Sequence, residues 1–410
     1  MRQNEYRIRK RYRLLVDVGL FIFNKIFRVN GHLSEEVKKL DGPYLLLSNH
    51  IGTYDPFIIS YFLKKKPHFI SSDAIFRDPF FGYFLKRLGV IPKKKNVRDT
   101  QVIRDMVAVA NAGGALGLFP EGTRSWTGTT LHIEPSIAKL VKLLELPVVT
   151  AKMKGMHLTN PRWAFKLRKS AIQIDYSLTL SKDDILKASS PEVLEKIRAA
   201  IFHDEVEYQR DKCNKIRGNS RAEYLSYVLF HCPACKSIGK IESTGNDFVC
   251  TACGQKHHVN PFGFFEKTEG KGDSFDNIRD WFDWQRTTFE NFIQEQFRRK
   301  TYAPLFTDES MEVYRANHEK MEHLGSATIS FYINRLLIRF ENGKQMEMPI
   351  EHIQTLNPQL RERIEIIFKD HHYRITSHKP GISGLKWEIA VNAIWQLTGQ
   401  GFKQSTYLVR

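Results

Sequence analysis

Asn49-His50-Ile51-Gly52-Thr53-Tyr54-Asp55-Pro56 is the stretch on which the reading of this chain turns. Before it, Tyr44-Leu45-Leu46-Leu47 is a short apolar run bounded by Gly42-Pro43, the pattern of a buried strand. After it, Asp55-Pro56 opens the apolar stretch Phe57-Ile58-Ile59-Ser60-Tyr61-Phe62-Leu63. Asp is a good helix N-cap, and Pro is tolerated at the first helical position because that N–H has no helical partner. The spacing predicts His50 where a strand leaves a sheet and Asp55 where the next helix begins. In open α/β sheets that edge is where ligands bind. A His and an Asp brought together there form a base and its orienter, because imidazole takes a proton near neutral pH and a carboxylate fixes its tautomer. Taken alone, the pair is better explained as a turn residue and a helix cap.

A second motif changes that balance. Ala115-Leu116-Gly117-Leu118 is another apolar run, and Phe119-Pro120-Glu121-Gly122-Thr123-Arg124-Ser125 follows it. Asn-His-X-X-X-X-Asp followed downstream by Phe-Pro-Glu-Gly-Thr-Arg-Ser resembles the glycerolipid acyltransferase superfamily, in particular the bacterial lysophosphatidic acid (1-acyl-glycerol-3-phosphate) acyltransferases. The resemblance covers residues 30–180. It implies transfer of a fatty acyl group from an acyl thioester, acyl-CoA or acyl-carrier protein, to the hydroxyl of a lysophospholipid. Acylglycerol phosphate giving phosphatidate, a step of phospholipid biosynthesis, is the expected case, and no catalytic cofactor is expected.

The same resemblance implies roles. His50 is the general base and Asp55 orients it. Arg124, with Lys95, holds the acceptor phosphate, while Glu121, Gly122 and Thr123 shape the substrate site. Glu121 lies just past a strand end, where its carboxylate either holds the acceptor's hydroxyls or orders the neighbouring loop; a plain Glu121–Arg124 salt bridge is the alternative. Arg124 can bind a phosphate bidentately. Phe76-Arg77-Asp78-Pro79-Phe80-Phe81-Gly82-Tyr83 and Leu88-Gly89-Val90-Ile91-Pro92-Lys93-Lys94-Lys95 look like a further block of the family, which usually ends in Arg. Lys95 there supplies charge without Arg's fork, and a solvated loop is the other reading of Lys93–Lys95. No Gly-X-Ser-X-Gly elbow is present, so direct transfer is expected rather than an acyl-enzyme on Ser. Backbone N–H groups near the helix start are candidates to steady the tetrahedral oxyanion.

The chain has 410 residues, enough for two or three domains. An apolar content of 42% with 12% aromatics marks a globular protein. The net charge of +17 is uneven: residues 1–100 hold 20 Lys/Arg against 9 Asp/Glu. Such a basic end suits an anionic membrane surface or nucleic acid, and charge alone does not choose. Arg2, Arg7, Arg9, Lys10, Arg11 and Arg13 precede an apolar stretch from Leu14 to Phe27, broken by Asp17, Asn24 and Lys25 and too short to span a bilayer. Asp17 inside the apolar stretch and the lack of a small-residue cleavage site argue against secretion. Residues 1–30 are therefore expected as a basic amphipathic helix on a membrane interface, with packing against the protein's own core as the other use of the same helix. The expected location is the cytoplasmic face of a membrane, peripheral or monotopic, with the phospholipid surface as partner.

The acyltransferase domain is expected at 31–225. Asp99 to Ala112 reads as an amphipathic helix ended by Gly113-Gly114, and Ile137 to Leu144 as another. Leu146-Pro147-Val148-Val149-Thr150-Ala151-Lys152-Met153-Lys154-Gly155 reads as a strand, Ile172 to Leu180 as a further one, and Ser189 through Ala222 as charged helix. Together they make an α/β layered domain.

A different composition follows. Cys232-Pro233-Ala234-Cys235 and Cys250-Thr251-Ala252-Cys253 are paired Cys-X-X-Cys knuckles, and four thiolates suit tetrahedral Zn²⁺. Residues 226–265 are thus expected as a zinc ribbon holding a structural Zn²⁺ with no open position for chemistry. Cys213 has no partner in this scheme. Zinc ribbons often touch nucleic acid, yet only Lys236, Lys240 and Lys256 lie near these knuckles, opposed by Glu242 and Asp247; nucleic acid is not expected as a partner. Residues 270–300 contain an aromatic helix (275–299), read as core before membrane anchor. Residues 310–410 show short strands, an Asn342-Gly343 hairpin turn and one closing helix near Leu385 to Leu397. That pattern looks like a pleckstrin-homology-type antiparallel barrel. Two rival functions stay open: an acyltransferase with another acceptor, or a membrane-recruited binding protein with an inert acyltransferase domain.

Overall fold

In the computed structural model of the chain, the structure describes residues 6–93, 100–317, 320–359, 363–377, 382–405 and 408. It divides into two compact units, Met1–Pro161 with Lys169–Asn214, and Arg162–Arg168 with Lys215–Arg410.

The first unit runs α1 (Lys10–Ile26), β1 (Val29–Leu33), α2 (Glu35–Lys39), β2 (Leu45–Ser48), α3 (Asp55–Tyr61), β3 (Pro67–Ser72), α4 (Pro79–Arg87), β4 (Ile91–Lys93), α5 (Thr100–Asn111), β5 (Ala115–Leu118), α6 (Ser136–Leu144), β6 (Val148–Lys154), α7 (Met156–Thr159), β7 (Ile172–Leu180), α8 (Lys182–Lys187), α9 (Ser190–Ile201) and α10 (Glu205–Lys212). The seven strands form one sheet in the order β1-β7-β6-β2-β5-β3-β4. From β6 through β4 the neighbours are parallel, while β7 joins β6 antiparallel and β1 joins β7 in parallel. Leu45, Leu46 and Leu47 of β2 are wholly buried, as a central strand covered on both faces requires. Each such leucine contributes about 1.5–3 kcal/mol over an exposed one. Leu45, Leu47, Leu116 and Val148 share one core with Val102 and Met106 of α5, Ile137 and Val141 of α6, and Val193, Ile197 and Ile201 of α9. On α3, Ile58 and Ile59 are buried, and the Tyr176 hydroxyl donates to the Ile59 carbonyl at 2.7 Å.

Helix α1 packs on the protein's own core with one face, as the second of the two expectations had it, and leaves an apolar face exposed. Inward, Leu20 is buried, Arg13 donates to Ser60 Oγ at 2.9 Å while pairing with Asp17, and Tyr12 packs edge-on against Tyr83 and Phe84. Outward, Leu14, Leu15, Val18, Phe21, Ile22 and Ile26 are exposed, as are Phe80, Phe81 and Tyr83 of α4. No described helix is long and apolar enough to cross a membrane. After Ser189 the helical pattern stops short of Ala222. α9 opens on a capping box of Ser189 and Glu192, and α10 ends at Lys212, where Cys213 takes a left-handed φ of 51°. Beyond it, the turn-forming Gly218-Asn219-Ser220 cannot extend a helix, and residues 215–225 cluster with the second unit.

The second unit contains β8 (Ile241–Thr244), β9 (Asp247–Cys250), β10 (Lys256–Val259), β11 (Phe265–Glu269), α11 (Ile278–Arg298), β12 (Phe306–Asn317), β13 (Lys320–Phe331), β14 (Arg335–Phe340), β15 (Gln345–Pro349), β16 (Ile353–Pro358), β17 (Ile364–Phe368), β18 (His371–Ser377) and α12 (Gly384–Leu397). Strands β8–β11 make a small antiparallel sheet carrying the four cysteines. The aromatic stripe of α11 is core: Trp281 meets Phe248, His257 and Phe265, and Phe289 meets Phe230 and Phe306. The remaining strands form an antiparallel half-barrel, β15-β14-β13-β12-β18-β17-β16, on which α12 buries Trp387 and Trp395. Strand β12 starts at Phe306, before the expected boundary at 310, because a bulge at Ser310 (φ 57°) interrupts the alternation that marks a strand in sequence. The Asn342-Gly343 turn is where expected, with Gly343 at φ 82°.

Candidate active site

Parallel neighbours leave a sheet at the same edge, and β2 and β5 are parallel neighbours. That topology brings residues 49–55 and 119–125 together. His50 follows β2 directly, and its Nδ1 lies 2.9 Å from Asp55 Oδ2. The imidazole stacks on Phe119, ring centroids 4.0 Å apart, and keeps 20% of its side chain exposed. Asp55 has no exposure at all.

Asp55 does not cap α3. The cap position falls on Tyr54, and the carboxylate turns back over its own loop, accepting from Ile51 N at 2.7 Å and Gly52 N at 2.9 Å. The cap expectation fails because the loop N–H groups and His50 offer donors closer to the side chain than the helix does. Donors on every side are what a carboxylate requires, so Nδ1 of His50 carries the proton and Nε2 is the basic nitrogen. Thr53 N donates to Asn160 Oδ1 at 3.2 Å. The amides of residues 51–53 are therefore spent on side chains. The loop is too tight for a side chain at Gly52, whose Cβ would lie 2.5 Å from Met156 Cε and 2.9 Å from Asp55 Oδ1.

Asn49 and Glu121 hold this loop to the sheet. The Asn49 amide donates to Met153 O and accepts from Met153 N, each at 2.8 Å, which pins the end of β2 to β6. Glu121, 3% exposed, accepts from His50 N through Oε1 and from Leu131 N through Oε2, both at 2.6 Å. Its oxygens thus go to two backbone amides rather than to Arg124, and of the roles expected for Glu121 loop ordering is the one this geometry serves. Burial pushes its pKa up to about 8, against the pull of the two amides, and the nearby Asp55 adds to the rise. Ser125 N closes the contact by donating to His50 O at 2.9 Å.

Arg124 reaches the His50–Asp55 loop from the side, donating from Nη1 to Thr53 Oγ1 at 2.9 Å. Gly122 adopts φ 69°, a conformation that favours glycine, and Thr123 and Arg124 are half-buried beside it. The structure thus brings His50, Asp55, Glu121, Gly122, Thr123 and Arg124 to one sheet edge. Lys95 lies outside the described residues. Sequence reasoning assigned no role to Asn49, Phe119 or Asn160. Asn49 and Phe119 sit inside the quoted motifs, but nothing in sequence signals the contacts of Asn49 with Met153 or of Asn160 with the loop.

The cysteines meet as the spacing predicts. A tetrahedral Zn²⁺ with bonds of about 2.3 Å sets its sulfurs about 3.8 Å apart. Sγ of Cys232 and Cys253 are 3.8 Å apart, those of Cys235 and Cys250 3.7 Å, and all four lie within 4.8 Å of one another. These separations are far too long for disulfides and fit a four-thiolate metal site. Cys213 is exposed and is not a member of this group.

Residues 28–154 match the acyltransferase family model. A curated 1-acyl-sn-glycerol-3-phosphate acyltransferase of Cocos nucifera is 26% identical over 43% of this chain and 58% of its own length. One of Borreliella burgdorferi is 28% identical over 29% of this chain and 47% of its own length. The chain spans about half the length of these curated relatives. The crystal structure of the 1-acyl-sn-glycerophosphate (LPA) acyltransferase PlsC from Thermotoga maritima aligns with 46% of this chain and 76% of its own, at 15% identity and a TM-score of 0.41.

Proposed function

We propose that this chain, with an acyltransferase-family domain at residues 28–154, transfers a fatty acyl group from an acyl thioester to the hydroxyl of acylglycerol phosphate, giving phosphatidate. The observation that carries the reading is the His50–Asp55 pair at 2.9 Å with Arg124 tethered to the loop between them. His50 Nε2 takes the acceptor's hydroxyl proton as the oxygen attacks the thioester carbonyl. The C–O bond forms, the tetrahedral intermediate collapses with cleavage of the C–S bond, and the imidazolium returns the proton to the departing thiolate. Asp55 holds the tautomer and stabilises the imidazolium between these steps. Arg124 sits within reach of a phosphate on the same acceptor and suits it through its planar fork. Lys95 is proposed as a second phosphate contact, Gly122 and Thr123 as walls of the substrate site, and Glu121 as the support of the His50 backbone.

Acyl-CoA or acyl-carrier protein supplies the thioester, and no catalytic cofactor is required. Cys232, Cys235, Cys250 and Cys253 would hold a structural Zn²⁺ that fixes the ribbon. The exposed apolar face of α1, preceded by Arg7, Arg9, Lys10 and Arg11, supports peripheral binding at the cytoplasmic face of an anionic membrane. The half-barrel with its closing helix is read as a pleckstrin-homology-type module.

The test is incubation of purified protein, with and without vesicles, with labelled acyl thioester and a panel of lysolipids. Labelled phosphatidate formed only with acylglycerol phosphate supports the reading. Acylation of a non-phosphorylated acceptor instead would reassign Arg124, and no product with any acceptor would favour an inert domain on a binding protein.

A further inference from the structure

Arg168 is a buried cation that, among the described residues of the second unit, makes no ion pair with a carboxylate. It keeps 6% of its surface exposed, and its Nη2 is fully buried with no hydrogen-bond partner among the described residues. The guanidinium lies over the ring of Trp163, 4.6 Å from the centroid. The acidic group that acts on it is Glu223, through space rather than through a hydrogen bond, and Glu223 Oε1 lies 3.5 Å from Lys166 Nζ. Arg221 adds a like charge; its own guanidinium is engaged with the carbonyls of Val259 and Gly218, at 2.7 and 2.6 Å. Arg221 has Asp247 as its own acidic neighbour, so Glu223 is left to serve both Lys166 and Arg168.

Uncompensated buried charge is costly, and proteins ordinarily pair it or expel it. The stacked Trp163 occupies the guanidinium's face and leaves its in-plane N–H edge as the binding element. That edge matches an oxyanion, above all the oxygens of a phosphate group. We propose that Arg168, floored by Trp163 and flanked by Lys166 and Arg221, is a binding site for a phosphate-type oxyanion, separate from the His50 site. This site does not depend on the acyl-transfer reading.

The test uses the full chain with inorganic phosphate as probe, against chloride at matched ionic strength, and follows thermal unfolding and direct binding. Phosphate should raise the unfolding temperature of the wild type. Arg168→Met should unfold no earlier than wild type without phosphate, since it removes a buried charge that no hydrogen-bonded anion compensates, and should weaken phosphate binding by about tenfold or more. Glu223→Gln should strengthen phosphate binding, because it removes the competing carboxylate. Vesicles carrying phosphatidate, compared with phosphatidylcholine alone, separate a lipid headgroup from free phosphate as the source; retention that depends on Arg168 identifies the headgroup, and its absence alongside phosphate binding identifies the free anion. Equal phosphate response in wild type and Arg168→Met would overturn the proposal. So would matching losses of stability in Arg168→Met and Glu223→Gln without phosphate, which would make the two residues a structural ion pair.

Discussion

Glu121 Oε1 accepts the backbone N–H of His50 at 2.6 Å, so the second motif holds the backbone of the first. Its other oxygen takes Leu131 N at 2.6 Å, and the Asp55 carboxylate fixes the same His50 from the side-chain end. The base is therefore located twice, once through its peptide and once through its ring.

Replacing Glu121 with Ala leaves two part-buried amides without their acceptor, at up to about 1–3 kcal/mol each. The expected outcome is a lower unfolding temperature and a fall in kcat larger than any change in acceptor KM. A selective rise in acceptor KM would instead make Glu121 a direct substrate contact.

The same residue sets a pH dependence. Its folded pKa near 8 lies above the ordinary 4.5, so the folded chain holds this proton more tightly than the unfolded one. Its contribution to stability is complete below about 4.5 and is lost as pH rises through about 8. Thermal unfolding across that window should show the loss in wild type and not in Glu121→Gln, which cannot ionise. Parallel curves would place the pKa of Glu121 back in the usual carboxylate range.

His50→Ala should keep the fold, since the ring is partly exposed, and reduce turnover by ~10²–10⁴. Asp55→Asn should be comparably severe and also less stable, because the lost charge faces His50 Nδ1 and two loop amides. Wild-type turnover in Asp55→Asn would dismiss Asp55 as orienter.

Arg124→Ala should raise the apparent KM for a phosphorylated acceptor about tenfold or more, given the worth of a charge-assisted hydrogen bond, and leave the donor's KM nearly unchanged. Steady-state titration of each substrate against a saturating partner reads the difference. Equal effects on both substrates would reduce Arg124 to a brace on Thr53.

Metal analysis should find about one zinc per chain, as four thiolates at tetrahedral spacing require. Chelation or Cys232→Ser should loosen the second unit, seen as increased proteolysis around residues 226–265, since metal binding is coupled to folding.

On α1, Leu15→Glu with Phe21→Glu changes only the outer face. These variants should no longer float with anionic vesicles, yet keep turnover on detergent-dispersed short-chain substrates. Deleting the helix is the poorer test, because it also removes Arg13 from Ser60 and Tyr12 from α4. Full flotation of the double variant would move the anchor elsewhere on the protein.

Much of this was legible in sequence wherever the signal is local. The apolar run Tyr44–Leu47 announced a buried strand, Ile172–Leu180 alternated as the strand it is, Asn342-Gly343 specified its turn, and two Cys-X-X-Cys knuckles specified a cluster of four sulfurs. These are properties of a few neighbouring residues whose periodicity or turn chemistry leaves few alternatives.

What only the tertiary structure decided were the partners of polar groups and the faces of ambiguous helices. In sequence Asp55 was a helix cap as readily as an orienter, and Glu121 as readily an ion-pair partner of Arg124. Both choices depend on which donors the parallel pairing of β2 with β5 brings near, and no local pattern encodes that pairing. The same holds for Asn49, which meets its partner Met153 across 104 residues, and for α11, whose aromatic stripe became core because the ribbon and the half-barrel supplied surfaces to cover it. Side-chain hydrogen bonds and burial are settled by long-range contacts, and a linear pattern records only the groups that enter them.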